Sequence, residues 1–504
     1  MNKQILLLFN CQTRGVWVDG YPLPATRVNS TTVPVEYLKL HCCCIDSIAS
    51  INKAKTTATA LKSFGRPHHW MESSMFRLDY ESIPLINNGG YAARSDSSSS
   101  LWQGSSNLIK VILGAGMFYL PYTCHSMGWS AILMIVFFGV ITLYSMSLIA
   151  ECTEAILFDK PFLSAISFAD LGQAAFGHSG RTLCSISIMV EFTLAAVSML
   201  INIAVNIHTI VPSMNIPSGI LLASGLTYIS CQVNNLSHFA YLSACGNLLV
   251  VASVAILIIA GLQFEQSGAH NIQHKYVDVS GIPSSLGLIA FCYGGVGAYP
   301  KIYISLENRL DNAKMLTVSG LFIIGTYTSV ALIGYYFYGD STKIPVTSNI
   351  GLDSNGVDLP WGLFERSIAA LGVALNMQVT LPLILFTIRD IIVPSSLGDN
   401  TANALKNTAS LVLVFICMCI ALLFHTHFSA LCSLVGAACT AVNSVCLPII
   451  FHRRVFRDSL SWRRARLHDL VLIIVVVSSC IGIASNFCNV LGREGGFCSY
   501  VAAH

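Results

Sequence analysis

The chain has 504 residues, 54% of them apolar and only 11% charged, with a net charge of +3 and a mean hydropathy of +0.65. A soluble domain carries about a quarter charged residues, so this chain cannot cover a surface for water, and its solvent must be lipid. No long basic block or base-stacking motif is present, so no nucleic-acid partner is expected.

In chain order, residues 1–103 form the first region. It is mixed in polarity, ends in Ser97–Ser100 and has no sustained periodicity, so it is expected to be a cytoplasmic, largely disordered tail. Ile5–Phe9 is too short for the apolar core of a secretory signal. Cys42, Cys43 and Cys44 read as a plain cysteine cluster or as palmitoylation sites. Most other cysteines of the 18 lie within apolar runs (Cys152, Cys184, Cys245, Cys292, Cys417, Cys439), where they act as small hydrophobes. Without a CxxC pair, neither a zinc nor a redox site is expected, and no cofactor or metal is expected.

The membrane domain is expected over 104–490, followed by a short lumenal or extracellular tail at 491–504. A helix needs about 20 apolar residues to cross the hydrocarbon core. Such runs place spans at 105–124, 129–150, 183–207, 217–233, 241–262, 284–304, 315–338, 361–388, 408–425, 428–451 and 469–490. The fourth and ninth are short. Between the second and third, SFADLGQAAFG repeats Phe168, Leu171, Ala175 and Phe176 at helical spacing, which predicts a short interfacial helix. Lys and Arg concentrate in the loops on the N-terminal side, most densely at Arg453, Arg454, Arg457, Arg463, Arg464 and Arg466. The positive-inside rule therefore puts the N-terminus in the cytoplasm.

Two spans are interrupted. The first reads NLIKVILGAGMFYLPY, with Gly114, Gly116 and Pro121. The sixth reads FCYGGVGAYPKIY, with Gly294, Gly295, Gly297 and Pro300. Glycine weakens a helix by about 1 kcal/mol and interior proline by about 3 kcal/mol, so both helices should unwind near mid-membrane. Irregular backbone is tolerated there only inside protein or along a watery cavity. Spans one and six correspond if the first ten spans are two repeats of five, and paired breaks at matching positions point to a transporter's substrate site. Freed amides would attract a carboxylate and freed carbonyls an ammonium group, as a zwitterionic amino acid requires. Close helix packing by small residues is the alternative.

Glu191 lies inside the third span. A charge at mid-membrane costs about 2.5–3.5 kcal/mol, so its carboxyl is a proton-coupling candidate or a structural group hydrogen-bonded to a neighbouring helix. In the tail, ESIPLI fits the acidic dileucine pattern through Glu81, Leu85 and Ile86, an address read by adaptor proteins. His425 and His427 lack a companion carboxylate or serine, so no enzyme site is expected. No repeated pore ring suggests a channel.

These strings resemble the amino acid/auxin permease family, in particular its vacuolar amino acid transporter branch. GAGMFYLPY with the following Gly128-Trp129 is similar to the family's opening motif, and FCYGGVGAYPKIYISLENR to its sixth span. IGYYFYGDST and ALNMQVTLPLILFTIRDIIVP are similar to spans seven and eight. The resemblance covers roughly 104–490. It implies an all-α integral membrane fold with a five-plus-five inverted repeat, broken helices 1 and 6 and an eleventh helix. It also implies secondary active, proton-coupled amino acid transport, with H+ as coupling ion. Carried over by position, Gly114, Ala115, Gly116, Met117, Phe291, Cys292, Tyr293 and Gly294 would line the substrate site, with Asn107 and Asn376 as further candidates. Met117 and Phe118 stand where branched aliphatics are usual, and Ala195, Ala196 and Ser198 occupy the stretch after Glu191 where acidic residues can follow. The expected partners are an amino acid and the bilayer, with adaptor proteins at the tail. The expected location is the vacuolar membrane, with the plasma membrane as alternative. A transporter-like amino acid sensor without net transport would carry the same features.

Overall fold

The computed structural model describes residues 99–491 apart from 115, 160–165, 233–235, 267–271, 354–355 and 394–398, together with a strand pair near the N-terminus. The chain divides into two compact units, Met1–Met75 and Phe76–His504. In the first, β1 (Trp17–Val18) and β2 (Tyr21–Pro22) pair antiparallel, Trp17 opposite Pro22. Cys42–Cys44, Glu81, Leu85, Ile86, Ala115 and the tail after Leu491 lie outside the described residues.

The second unit is helical. The first expected span is two helices, α1 (Leu101–Ile112) and α2 (Leu120–Met127). Next come α3 (Ser130–Asp159), α4 (Phe168–Ile210), α5 (Ile216–Cys231) and α6 (Leu236–Gln266). The sixth expected span is again two helices, α7 (Ile282–Cys292) and α8 (Tyr299–Ser305). α9 (Asn312–Tyr338), α10 (Gly362–Ile392) and α11 (Asp399–Phe424) follow. The tenth expected span runs from α12 (Phe428–Val435) to α13 (Leu447–Val455), and α14 (Trp462–Leu491) is the last helix. By length and composition, eight helical stretches among the described residues can cross a membrane, counting Ala404–Val455 as one although a 3-10 turn at His425–His427 divides it. α5, at 16 residues, and the broken α1–α2 fall below that length.

α1 starts where Ser100 and Gln103 cap each other: the Ser100 amide donates to Gln103 Oε1 at 2.9 Å and the Gln103 amide to Ser100 Oγ at 3.4 Å. The interfacial helix predicted before the third span is the first part of α4. The Ser167 amide donates to Asp170 Oδ2 at 2.8 Å, and the helix runs to Gly177, whose φ of +69° and ψ of −154° turn the chain into the span. Several helices outrun their apolar windows because tertiary partners satisfy their charged ends. α3 continues through Glu151 and Glu154 to Asp159. Glu151 accepts from Arg464 at 3.1 Å and is hydrogen-bonded to His452 at 2.9 Å, while Glu154 pairs with Arg309 at 2.8 Å.

The interior is close-packed around fully buried Tyr119, Tyr299, Tyr327 and Tyr335. α10 packs most extensively on α4 and α6, so that span 8 lies against spans 3 and 5.

Candidate functional site

Both breaks follow one local plan. α1 ends at Ile112, a 3-10 turn covers Met117–Tyr119, and α2 restarts with Pro121 in its first turn. α7 ends at Cys292, Gly295 takes φ +92°, a 3-10 turn covers Val296–Ala298, and α8 restarts with Pro300 in its first turn. A proline in the first helical turn costs no hydrogen bond, since its missing N–H would have no partner there. The residues that end each helix are thus placed to begin the next one.

The two breaks touch. The Cys292 thiol lies 3.2 Å from the Gly116 carbonyl. A Cβ on Gly116 would stand 2.5 Å from Cys292 Sγ and 3.0 Å from its Cα, so glycine is what permits the approach. The Tyr327 hydroxyl lies 2.7 Å from both the Ile112 and the Cys292 carbonyls, those of the last residues of α1 and α7. Tyr293 donates to the Ile135 carbonyl at 2.8 Å. A Cβ on Gly295 would stand 2.8 Å from Val111 Cγ1. The structure therefore brings together Gly116, Met117, Phe291, Cys292, Tyr293 and Gly294, all close to or within the breaks. Gly114 faces α4, its Cβ position 3.5 Å from Met199 Cε.

Glu191 of α4 is buried against this junction. Its Oε2 accepts from Asn443 Nδ2 at 2.8 Å, and Asn443 Oδ1 in turn accepts from Ser187 Oγ at 2.6 Å. The other oxygen, Oε1, lies beside Thr440 and is 3.5 Å from where a Cβ on Gly294 would be. The carboxyl thus has one face tied to protein and the other turned to the sixth-span break. Asn443 comes from an irregular part of span 10, where Gly436–Thr440 and Val442–Cys446 are π-helical. π-Turns recur at functional sites because they redirect backbone and side chains within a helix. This third irregular stretch escaped the sequence reading; the run of small residues in GAACTAVNS was its only trace.

Two sequence candidates stand elsewhere. Asn107 is exposed on α1, while its neighbours Leu108 and Lys110 are buried. Asn376 is buried in α10, and its side-chain oxygen is taken by the Lys110 ammonium. Lys110 itself is not singled out by sequence reasoning. Here it is 3% exposed.

A second polar line leaves the junction through Tyr119, whose hydroxyl accepts from Asn202 Nδ2 and whose ring meets Phe428 edge-on at 5.3 Å. Asn206 donates to Asn202 Oδ1 at 2.7 Å. Near it, a cavity of about 240 Å3 is lined by Tyr122 and Ser126 of α2, Ser285 and Leu288 of α7, His427 and Asn486. At the opposite end of span 1 the chain is latched shut. The Ser99 amide donates to the Ser305 carbonyl at 2.7 Å, and the Glu307 amide to the Ser99 carbonyl at 3.0 Å.

Two helices broken at matching positions of two five-span halves, touching at the centre of a bundle, define a multi-pass membrane protein with the five-plus-five architecture of secondary transporters. Solved structures of that class share the fold. The chain is similar to the Eremococcus coleocola manganese transporter with a TM-score of 0.58 at 11% identity, covering 80% of this chain and 91% of the other. It is also similar to a Na+-coupled sialic acid symporter with a TM-score of 0.52 at 13% identity, covering 78% and 90%. The chain belongs to the family described as transmembrane amino acid transporter protein, whose model matches residues 97–491. Among curated relatives it is 26% identical over 408 residues to Amino acid transporter AVT1D of Arabidopsis thaliana, covering 77% of this chain and 69% of the relative. To Amino acid transporter AVT1J of the same plant it is 27% identical over 391 residues, covering 74% and 86%.

Proposed function

We propose that this protein is a proton-coupled secondary active amino acid transporter with eleven spans. In this reading it works by alternating access around the unwound centres of spans 1 and 6. The observation that carries it is the junction itself: Gly116 and Cys292 in contact, unwound amides and carbonyls around them, and Glu191 Oε1 turned to Gly294. Free amides suit a carboxylate and free carbonyls an ammonium group. The cavity beside α2 and α7 supplies the approach from one side, and the Ser99 latch closes the other. Gly114, Gly116, Met117 and Phe291–Gly294 are assigned to substrate and Glu191 to the proton. Ala115, Asn107 and Asn376 remain candidates from the family resemblance alone.

The site belongs in the vacuolar membrane, with the N-terminus cytoplasmic and Glu81, Leu85 and Ile86 as the adaptor-read address; the plasma membrane is the alternative. Purified protein in proteoliposomes should accumulate labelled amino acids under an imposed pH gradient. Saturable binding without accumulation would assign the sensor reading instead.

A further inference from the structure

Span 1 carries one further ionisable group that the junction does not use. Between Leu101 and Met127, Lys110 is the sole Asp, Glu, Lys or Arg. It is buried one turn before the break, where three helices meet. Its Nζ donates to Asn376 Oδ1 of α10 and lies 3.5 Å from the Asn376 carbonyl. On the α6 side a Cβ at Gly246 would lie 2.6 Å from Nζ and 2.7 Å from Asn376 Oδ1, so a glycine makes room for the pair.

Among the described residues, Lys110 has Asn376 as its hydrogen-bond partner and makes no ion pair. α6 carries no Asp, Glu, Lys or Arg from Leu236 to Phe264, and α10 none from Ser367 to Ile388; the titratable residues of α6 in that stretch are His238, Tyr241 and Cys245. On the other helices packed against α1, the lysines and most tyrosines are engaged elsewhere. Tyr327 of α9 holds the Ile112 and Cys292 carbonyls, and Lys314 pairs with Asp311 at 2.8 Å. On α8, Tyr299 donates to Asn312, Tyr303 donates to Glu154, and Lys301 pairs with Asp390 at 3.7 Å. Glu191 is bound to Asn443. An ammonium seated on amide oxygens, with no ion pair among the described residues, is expensive in a membrane interior. Such a group is retained where its charge is used.

We propose that Lys110 is a second proton-carrying residue of the transport cycle, and that its charged ammonium clasps α1 to α10 through Asn376. This rests on the proton-coupled reading above. With the proton bound, a charge-assisted hydrogen bond adds to the Ser99 latch, and α1 is held at two points. When an N–H bond of the ammonium breaks, the proton passes to water entering between α1 and α10. The amine retains the electron pair, the bond to Asn376 weakens, and α1 is released to move at its end, Ile112. Rebinding a proton restores the clasp.

The test compares wild type, Lys110→Met and Lys110→Arg in proteoliposomes, reading uptake with an imposed pH gradient divided by uptake without one. A purely structural role lowers both rates together and leaves that ratio alone, and a role as a fixed cation would be rescued by arginine. Arginine keeps the charge but does not give up its proton in proteins. The proposal therefore expects the ratio to fall to unity in both variants. A wild-type ratio in either well-inserted variant overturns it while leaving proton coupling intact. A ratio of unity in the wild type overturns the proton-coupled reading and this proposal with it. Should Lys110→Met fail to insert, Lys110→Arg decides alone.

Discussion

The contact between the two breaks gives a sharp test at Gly116. In Gly116→Ala, the added methyl would stand 2.5 Å from Cys292 Sγ and 3.0 Å from Cys292 Cα and Cβ. The thiol can turn aside, but the backbone Cα cannot move without disturbing the Tyr327 bridge to Ile112 and Cys292. Overpacking of this kind costs about 1–3 kcal/mol. At about 1.4 kcal/mol per factor of ten, a middle value near 2 kcal/mol depopulates the joined state about 30-fold. A transporter must pass through that state in every cycle, so turnover should fall by about one to two orders of magnitude. Gly325→Ala, in α9, is the internal control. Nothing lies within 4 Å of its Cβ position, so uptake should stay within about threefold of wild type. Both variants would be assayed by initial-rate uptake in proteoliposomes, normalised to inserted protein. Wild-type uptake by Gly116→Ala, or equal loss in the two variants, would refute the reasoning that the breaks close on each other at Gly116.

Glu191→Gln keeps an oxygen to accept from Asn443 but cannot titrate, so it should bind substrate normally and lose the response of uptake to a pH gradient; an unchanged response removes Glu191 from the coupling. Gly294→Val should insert and lose uptake, because its Cβ would enter the gap between the Phe291 carbonyl at 3.2 Å and Glu191 Oε1 at 3.5 Å; full activity would displace the site. Gly177 adopts a glycine-only conformation with nothing near its Cβ position, so Gly177→Ala should lower stability by about 1–3 kcal/mol through backbone strain alone, read as a lower melting temperature in detergent. A tagged Leu85→Ala/Ile86→Ala variant should leave the vacuolar membrane for the cell surface or the Golgi; wild-type protein already at the surface would end the sorting hypothesis.

What the sequence determined by itself is whatever depends on short-range chemistry. Apolar length marks the spans, and the Gly and Pro clusters mark where the helices of spans 1 and 6 stop and restart, because helix propensity acts within a turn or two. The bend after the interfacial helix likewise follows from Gly177. The tertiary structure decided which faces look inward. In a soluble helix, alternation of polar and apolar residues reveals the buried face, but a membrane helix is apolar all round. On α3, Leu133 is 69% exposed and Ile135 fully buried, yet both are aliphatic, and nothing local distinguishes them. For the same reason only packing could show that Gly116 meets Cys292, 176 residues away, or that Lys110 reaches Asn376, 266 residues away. Asn107, read as a site candidate, faces outward, and Glu191, which the sequence left between coupling and structure, is turned by Asn443 toward the sixth-span break. Such pairings are set by how distant helices fit against one another, and no period within a single helix records them.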